Sequence, residues 1–200
     1  DNIQKENGDA VITDGVIPES IIRSSNVGMI KLNTTDVTSD TATVTFDSSL
    51  ITDNYDKYIV SFQGLKPATD SVYIRSRYST DNGSTFETGT FNYGYHYSRL
   101  GTAETGGNGT TKSNYAESAF GAGNDAAAAY NGIFYIDGLR DSSTYLTIEL
   151  SAILRQANDS QYVKQEGWSL SNSVVYNYIE FSFSSGNIAG GTFTLYGMVK

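Results

Sequence analysis

Apolar and polar side chains alternate along much of the chain, and this two-residue period is typical of β-strands with one buried face. The pattern recurs about eight times. No apolar pattern keeps the 3.6-residue period of a helix for three turns, and the alanine-rich stretch 125–130 could form only a short helical turn. We therefore expect an all-β protein with little helix.

The clearest strand is predicted over 143–155, with Leu146, Ile148, Leu150, Ala152 and Leu154 on its buried face. Other segments give shorter inward sets: Ala42, Val44 and Phe46; Tyr58, Val60 and Phe62; Val72, Ile74 and Tyr78. Near the end of the chain, Ile179, Phe181 and Phe183 precede Phe193, Leu195 and Val199. Because Gly186 and Gly190-Gly191 lie between these two sets, the sequence predicts that they form a hairpin.

Eight strands with polar outer faces predict an antiparallel β-sandwich that is jelly-roll-like, with closure into a barrel as the alternative. The sandwich is assigned to residues 36–200. Residues 1–35 are polar with sparse apolar pairs, and they are predicted to be an extended N-terminal segment, a stalk or attachment arm. Residues 99–130 are rich in Gly, Thr, Asn and Ala, and a connection of this length is usually functional or disordered.

Composition excludes several kinds of partner. The formal net charge of -9 repels phosphate backbones, so nucleic acid is not an expected partner. No apolar run of 18 residues is present, and membrane insertion is not expected. The absence of cysteine excludes disulfides and the usual structural zinc sites.

Candidate catalytic chemistry is sparse. The single histidine, His96, lies within a tyrosine-rich predicted strand, and no nucleophile, P-loop, zinc-protease or EF-hand motif accompanies it. Glu149 and Glu180 are the carboxylates to consider for glycoside hydrolysis, since that reaction needs only two. The loop aspartates Asp36, Asp40, Asp53 and Asp56 do not have the spacing of a calcium site. We expect no enzyme, no metal and no cofactor.

Aromatic and arginine side chains form the candidate contact surface for a glycan or protein partner. Its residues are Tyr73, Arg75, Arg77, Tyr93, Tyr95, Tyr97 and Trp168. Flat rings stack on the apolar faces of sugars, while arginine suits acidic sugars or acidic residues of a neighbouring subunit. Two other interpretations remain open: the aromatic face packs in the core or between subunits, and the arginines are ordinary surface.

One local motif is specific. Residues 79–86 follow the S-x-D-x-G-x-T-[WF] pattern known as the Asp box, a hairpin in which Ser79 and Asp81 hold the turn and Phe86 anchors it. Asn82 and Gly83 tolerate the positive φ that a tight turn requires. Sialidases carry several such boxes, and a single copy predicts a turn without implying that activity.

Three stretches together resemble bacteriophage virion proteins, chiefly tail-fibre and other appendage proteins. They are YDKYIVSF with LKPATD (55–62 and 65–70), YIRSRY leading into the Asp box (73–86), and the ending GGTFTLYGMV (190–199). The opening AVITDGVI (10–17) is similar to short elements that precede fibre heads. The resemblance covers most of residues 40–200 and consists of turn and core features, so it implies a role without site residues.

That resemblance implies a virion structural protein, a tail fibre or similar appendage that contributes to assembly and to attachment at a host-surface glycan. The expected partners are further copies of the chain, with a trimer favoured, other virion proteins and a surface glycan. The alternative is a capsid decoration or adaptor protein with a purely assembly role. A polysaccharide-depolymerising enzyme is the second alternative.

Overall fold

The structure, a computed structural model, describes residues 28–125, 129–156 and 160–199. These residues contain thirteen strands and no helix. The strands are β1 (Met29–Val37), β2 (Val44–Phe46), β3 (Tyr55–Pro67), β4 (Ile74–Ser79), β5 (Thr90–Arg99), β6 (Thr105–Gly106), β7 (Thr110–Ser113), β8 (Ala116–Glu117), β9 (Tyr130–Asp137), β10 (Leu146–Arg155), β11 (Gln161–Leu170), β12 (Tyr178–Phe183) and β13 (Ile188–Val199).

The strands form two antiparallel sheets within the described residues. The large sheet has nine strands in the order β1-β13-β3-β9-β10-β11-β5-β6, with β7 also paired to β5. The small sheet has the order β2-β12-β4-β8. This arrangement confirms the predicted all-β class and the antiparallel sandwich; the jelly-roll topology stays a prediction.

One core joins the two sheets. Phe62 on β3, Phe134 on β9 and Phe193 on β13 come from the large sheet, and Phe181 on β12 comes from the small one. The Phe181 ring lies 5.1 Å from that of Phe134 and 5.6 Å from that of Phe193. Aromatic pairs at these distances add to the stability gained from burial alone.

Alternation predicted the core positions of most strands correctly. All five inward residues assigned to β10 are buried, as are the three predicted in β3 and the three in β12. Ala42 is an exception, since it is exposed. The strand begins only at Val44, and Thr41 makes an isolated bridge to Ile188, so the ladder does not impose its alternation on residue 42.

The predicted hairpin near the C-terminal end is wrong. β12 belongs to the small sheet and pairs with β2 and β4, whereas β13 belongs to the large sheet and lies between β1 and β3. Gly186 lies in the connection that carries the chain from one sheet to the other, whereas Gly190 and Gly191 lie within β13. Gly186 has φ +69°, and a Cβ there would clash with Thr69, so this crossing requires glycine.

The segment boundaries also differ from those predicted. β1 crosses the boundary between residues 35 and 36 and pairs along its length with β13, so residues 29–35 belong to the large sheet. The rest of the predicted N-terminal arm, residues 1–27, lies outside the described residues. The long 99–130 connection contains three short strands, β6 to β8, which partly explains why there are more strands than predicted. Of the alanine-rich stretch, residues 126–128 lie outside the described residues.

Candidate functional site

The aromatic row of β5 points into the molecule. Trp168 on β11 is the cross-strand partner of Tyr93, and both side chains are buried, with relative exposures of 2% and 6%. Their rings stack at 5.2 Å, and the Tyr95 ring stacks on Tyr93 at 5.5 Å. Neither Trp168 nor Tyr93 can therefore be reached by a ligand on the surface, and the core interpretation is correct for these two residues.

Tyr95 and Tyr97 are half-buried at the margin of the same cluster. Phe120, from the loop after β8, covers them edge-on, with ring distances of 5.9 Å to Tyr95 and 4.7 Å to Tyr97. Tyr162 completes the cluster, with its ring 5.1 Å from that of Phe120. The tyrosine row is thus packed under the 118–124 loop.

The other three candidates lie on the outer face of the small sheet, as the alternation predicted. Arg77 forms an ion pair with Glu180 at 2.6 Å, and its guanidinium lies 3.6 Å from the centre of the Phe86 ring. Arg75 pairs with Glu117, and Tyr73 next to it is exposed. Because each guanidinium already has a carboxylate partner within the chain, capture of an acidic ligand would have to displace that partner. The seven candidate residues are divided between two separate regions.

The Asp box forms the predicted turn. The carboxylate of Asp81 accepts hydrogen bonds from the Thr85 backbone N–H at 2.8 Å, the Ser79 hydroxyl at 2.7 Å and the Thr85 hydroxyl at 2.7 Å. These donors lower the pKa of Asp81 to about 2, the Thr85 N–H contributing most. All of these bonds lie within the turn, so the motif is structural.

A shallow groove lies on the outer face of the large sheet. It consists of three adjoining cavities of about 430, 300 and 220 Å³ across β3, β9, β10 and β11. We call it the outer groove. The outward side chains along it are Lys57, Ile59, Ser61, Gln63, Asn131, Ile133, Tyr135, Asp137, Thr147, Glu149, Ser151, Ile153, Arg155, Gln161 and Val163.

The outer groove combines exposed apolar surface with hydrogen-bonding groups, which are neutral in its largest cavity, while Lys57, Asp137, Glu149 and Arg155 line the other two. Tyr135, Ile153 and Val163 are 43%, 41% and 44% exposed, and Ile153 and Val163 are direct cross-strand partners. Ile133 also lies on this face, and its cross-strand partners are Ser61 on β3 and Ser151 on β10. Hydroxyl and amide groups thus lie beside aliphatic and aromatic surface, which is the composition of small-ligand sites that bind through few polar contacts.

Sequence reasoning missed this groove. β9 carries apolar side chains on both faces, Phe134 and Ile136 inward and Ile133 and Tyr135 outward, and that two-sided pattern is the signal that could have identified it. β11 was not predicted at all, because its inward positions include Lys164 and Glu166, which interrupt the apolar alternation.

The remaining chemical candidates do not converge. Glu149 lies on the outer face of the large sheet and Glu180 on the small sheet, so the two carboxylates cannot flank one glycosidic bond. His96 is exposed on the outer face of β5, opposite Gln165. The described ranges hold no group of three or more acidic or histidine side chains able to bind a metal ion.

The described residues also include no helix that is long and apolar enough to cross a membrane. Comparison of the chain with family models, with curated proteins and with solved structures found no match.

Proposed function

We propose that the protein is a bacteriophage virion structural component, a tail fibre or similar appendage, that assembles with other virion proteins and contacts a host-surface glycan through the outer groove. The virion role is supported by the resemblance of residues 55–70, 73–86 and 190–199 to appendage proteins. The contact role is supported by one observation above all: the outer groove is a sheet face that none of the described residues covers, with aromatic and aliphatic surface beside polar groups.

The neutral polar lining of the largest cavity of the outer groove favours a neutral polysaccharide. Ser61, Ser151 and Asn131 can exchange hydrogen bonds with sugar hydroxyls. The exposed ring of Tyr135 offers the apolar face on which a sugar ring stacks. The groove follows β9 from Asn131 to Asp137, which at ~3.4 Å per residue is about 20 Å, long enough for several sugar units.

Binding of the purified chain to host cells, and to polysaccharide extracted from them, tests the contact role. The variant Tyr135→Ala should bind at least about tenfold more weakly, which corresponds to the loss of ~1.4 kcal/mol expected for an exposed contact residue. Tyr145→Ala is the matched control, since Tyr145 is 55% exposed but lies outside the groove. Equal binding by the Tyr135 variant, the Tyr145 variant and the unchanged chain would remove the outer groove from the proposal.

A purely assembly role, as a decoration or adaptor protein, is the second candidate. The adjacent exposed side chains of Ile153 and Val163 favour it, because neighbouring aliphatic groups suit a protein partner better than a sugar. If the role is purely assembly, Ile153→Glu should abolish incorporation into virions, and neither the unchanged chain nor any variant should bind host polysaccharide. The contact proposal predicts a different result: Tyr135→Ala should weaken attachment to host polysaccharide and leave incorporation into virions intact.

A further inference from the structure

The inner face of β11 carries two ionisable side chains in the middle of the aromatic core. Lys164 and Glu166 are two residues apart, so both point to the same side of the strand, and neither side chain has any exposed area. Lys164 Nζ lies 3.1 Å from Glu166 Oε1. An amine and a carboxyl group are thus held in contact by one rigid element.

Ser118 bridges the two groups. Its hydroxyl accepts a hydrogen bond from Lys164 Nζ and donates to Glu166 Oε1, which lies 3.2 Å from Oγ. The backbone N–H of Ala119 also donates to Oε1, at 3.1 Å. A hydroxyl in this position can pass a proton from the nitrogen to the carboxyl oxygen.

Burial disfavours the charged forms of this pair, whereas two aromatic rings near the amine favour the ammonium. The amine lies 4.9 Å from the centre of the Tyr130 ring and 5.9 Å from that of Phe120. Burial lowers the pKa of Lys164, an effect that the nearby carboxylate of Glu166 opposes. Passage of one proton from the ammonium to Glu166 Oε1 produces a neutral pair, and the neutral amine is the nucleophilic form.

Hydrogen bonding around the carboxyl group is incomplete. Glu166 Oε2 is buried and has no hydrogen-bond partner among the described residues, and the same holds for the hydroxyls of Tyr93 and Tyr130. Burial and the neighbouring charge of Glu166 raise the pKa of both tyrosines. A charged carboxylate held here is therefore costly, and an amide would carry no charge at all.

We propose that Lys164 and Glu166 condense into an intramolecular isopeptide bond. Lys164 Nζ attacks Glu166 Cδ, and one of its protons passes through the Ser118 hydroxyl to Oε1. Oε1, which also carries the acid proton of the neutral pair, leaves as water when its bond to Cδ breaks. Oε2 remains as the amide oxygen. One N–C bond forms, one C–O bond breaks, and no oxidant or reductant is required.

An exposed pair provides a control within the same molecule. Lys57 Nζ lies 2.7 Å from Asp137 Oδ2, closer than the buried pair, but both side chains are about half exposed. Water stabilises their charges and competes for the carboxyl carbon, so this pair should remain uncoupled. Proximity alone therefore does not predict condensation, and the difference lies in burial and in the bridging hydroxyl.

Mass spectrometry of the denatured chain after trypsin digestion tests the proposal directly. An unmodified chain is cleaved after Lys164 and gives peptides 156–164 and 165–200, because no lysine or arginine lies between residues 165 and 199. The coupled chain resists that cleavage and gives one peptide, 156–200, lighter than its sequence by one water. Full recovery of the two separate peptides would overturn the inference.

Two variants separate condensation from dehydration elsewhere in the chain. Glu166→Gln should release ammonia instead of water, so its 156–200 peptide should be lighter by the mass of one ammonia and still resist trypsin. Lys164→Met should have the mass its sequence predicts. If a variant fails to fold, the digest of the unchanged chain still decides, and cleavage after Lys57 measures the exposed control pair.

Discussion

At the scale of single residues, exposure decides which aromatic groups can take part in recognition. Alternation correctly placed Tyr93 and Phe91 on one face of a strand, but the sequence does not indicate whether that face meets the other sheet or solvent. The structure turns it inward, onto Trp168 and Phe120. Tyr135, on the opposite face of the sheet, is an accessible ring.

This difference predicts contrasting stability effects. Trp168→Ala should lower the free energy of unfolding by about 3–5 kcal/mol, because a large ring leaves a fully packed core. Tyr135→Ala should change it by less than about 0.5 kcal/mol, since the side chain is 43% exposed on the outer face. Urea unfolding monitored by far-ultraviolet circular dichroism measures the free energy of unfolding of both variants. Equal effects would show that Trp168 is not part of the core.

At the scale of elements, the Asp box was predictable because its bonds are local, whereas the pairing of β12 and β13 was not. Ser79, Asp81 and Thr85 hold the turn through hydrogen bonds made among themselves. By contrast, the partners of β13 are β1 and β3, far from it in sequence, and no turn residue specifies them. β11 was missed for a related reason. Its inward residues Lys164 and Glu166 are ionisable, and the sequence does not indicate that they pair with each other inside the fold.

The Asp box should make stability depend on acid pH. The folded-state pKa of Asp81 is about 2, below the value of ~3.9 for an unfolded aspartate. Its contribution is therefore fully present above about pH 4 and is lost as pH falls through about 2. The difference in urea midpoint between the unchanged chain and Asp81→Asn should be constant from pH 7 to 5 and shrink between pH 4 and 2. A difference independent of pH would contradict this.

Two glycines, one in the Asp-box turn and one on β5, provide a second comparison. Gly83 in the Asp box has φ +89°, and a Cβ there would lie 2.8 Å from the Tyr178 ring. Gly83→Ala should therefore destabilise the fold by more than about 1 kcal/mol. Gly94 lies on the outer face of β5, where a Cβ meets nothing within 4 Å. Gly94→Ala should be neutral or stabilise by up to about 1 kcal/mol, and the reverse order of midpoints would contradict this account.

At the scale of the whole molecule, the two faces of the large sheet have different surroundings. The inner face builds the core with the small sheet, and its positions follow from alternation. The outer face carries the outer groove, and two of its apolar residues, Ile133 and Tyr135, belong to β9, a strand that is apolar on both faces. The fold class was therefore predictable, while the choice of the proposed contact surface required knowledge of which face the small sheet covers.

The proposed appendage role makes a prediction about assembly. We expect light scattering after size-exclusion chromatography to give about three times the 21.7 kDa chain mass, unchanged on dilution. Since the outer groove faces a receptor in this proposal, Ile153→Glu should leave the trimer intact while it weakens attachment to host polysaccharide. If the same substitution instead converts the trimer to monomers, the outer groove is a subunit contact. Its exposed aliphatic side chains would then serve assembly, and attachment would have to be sought on another surface.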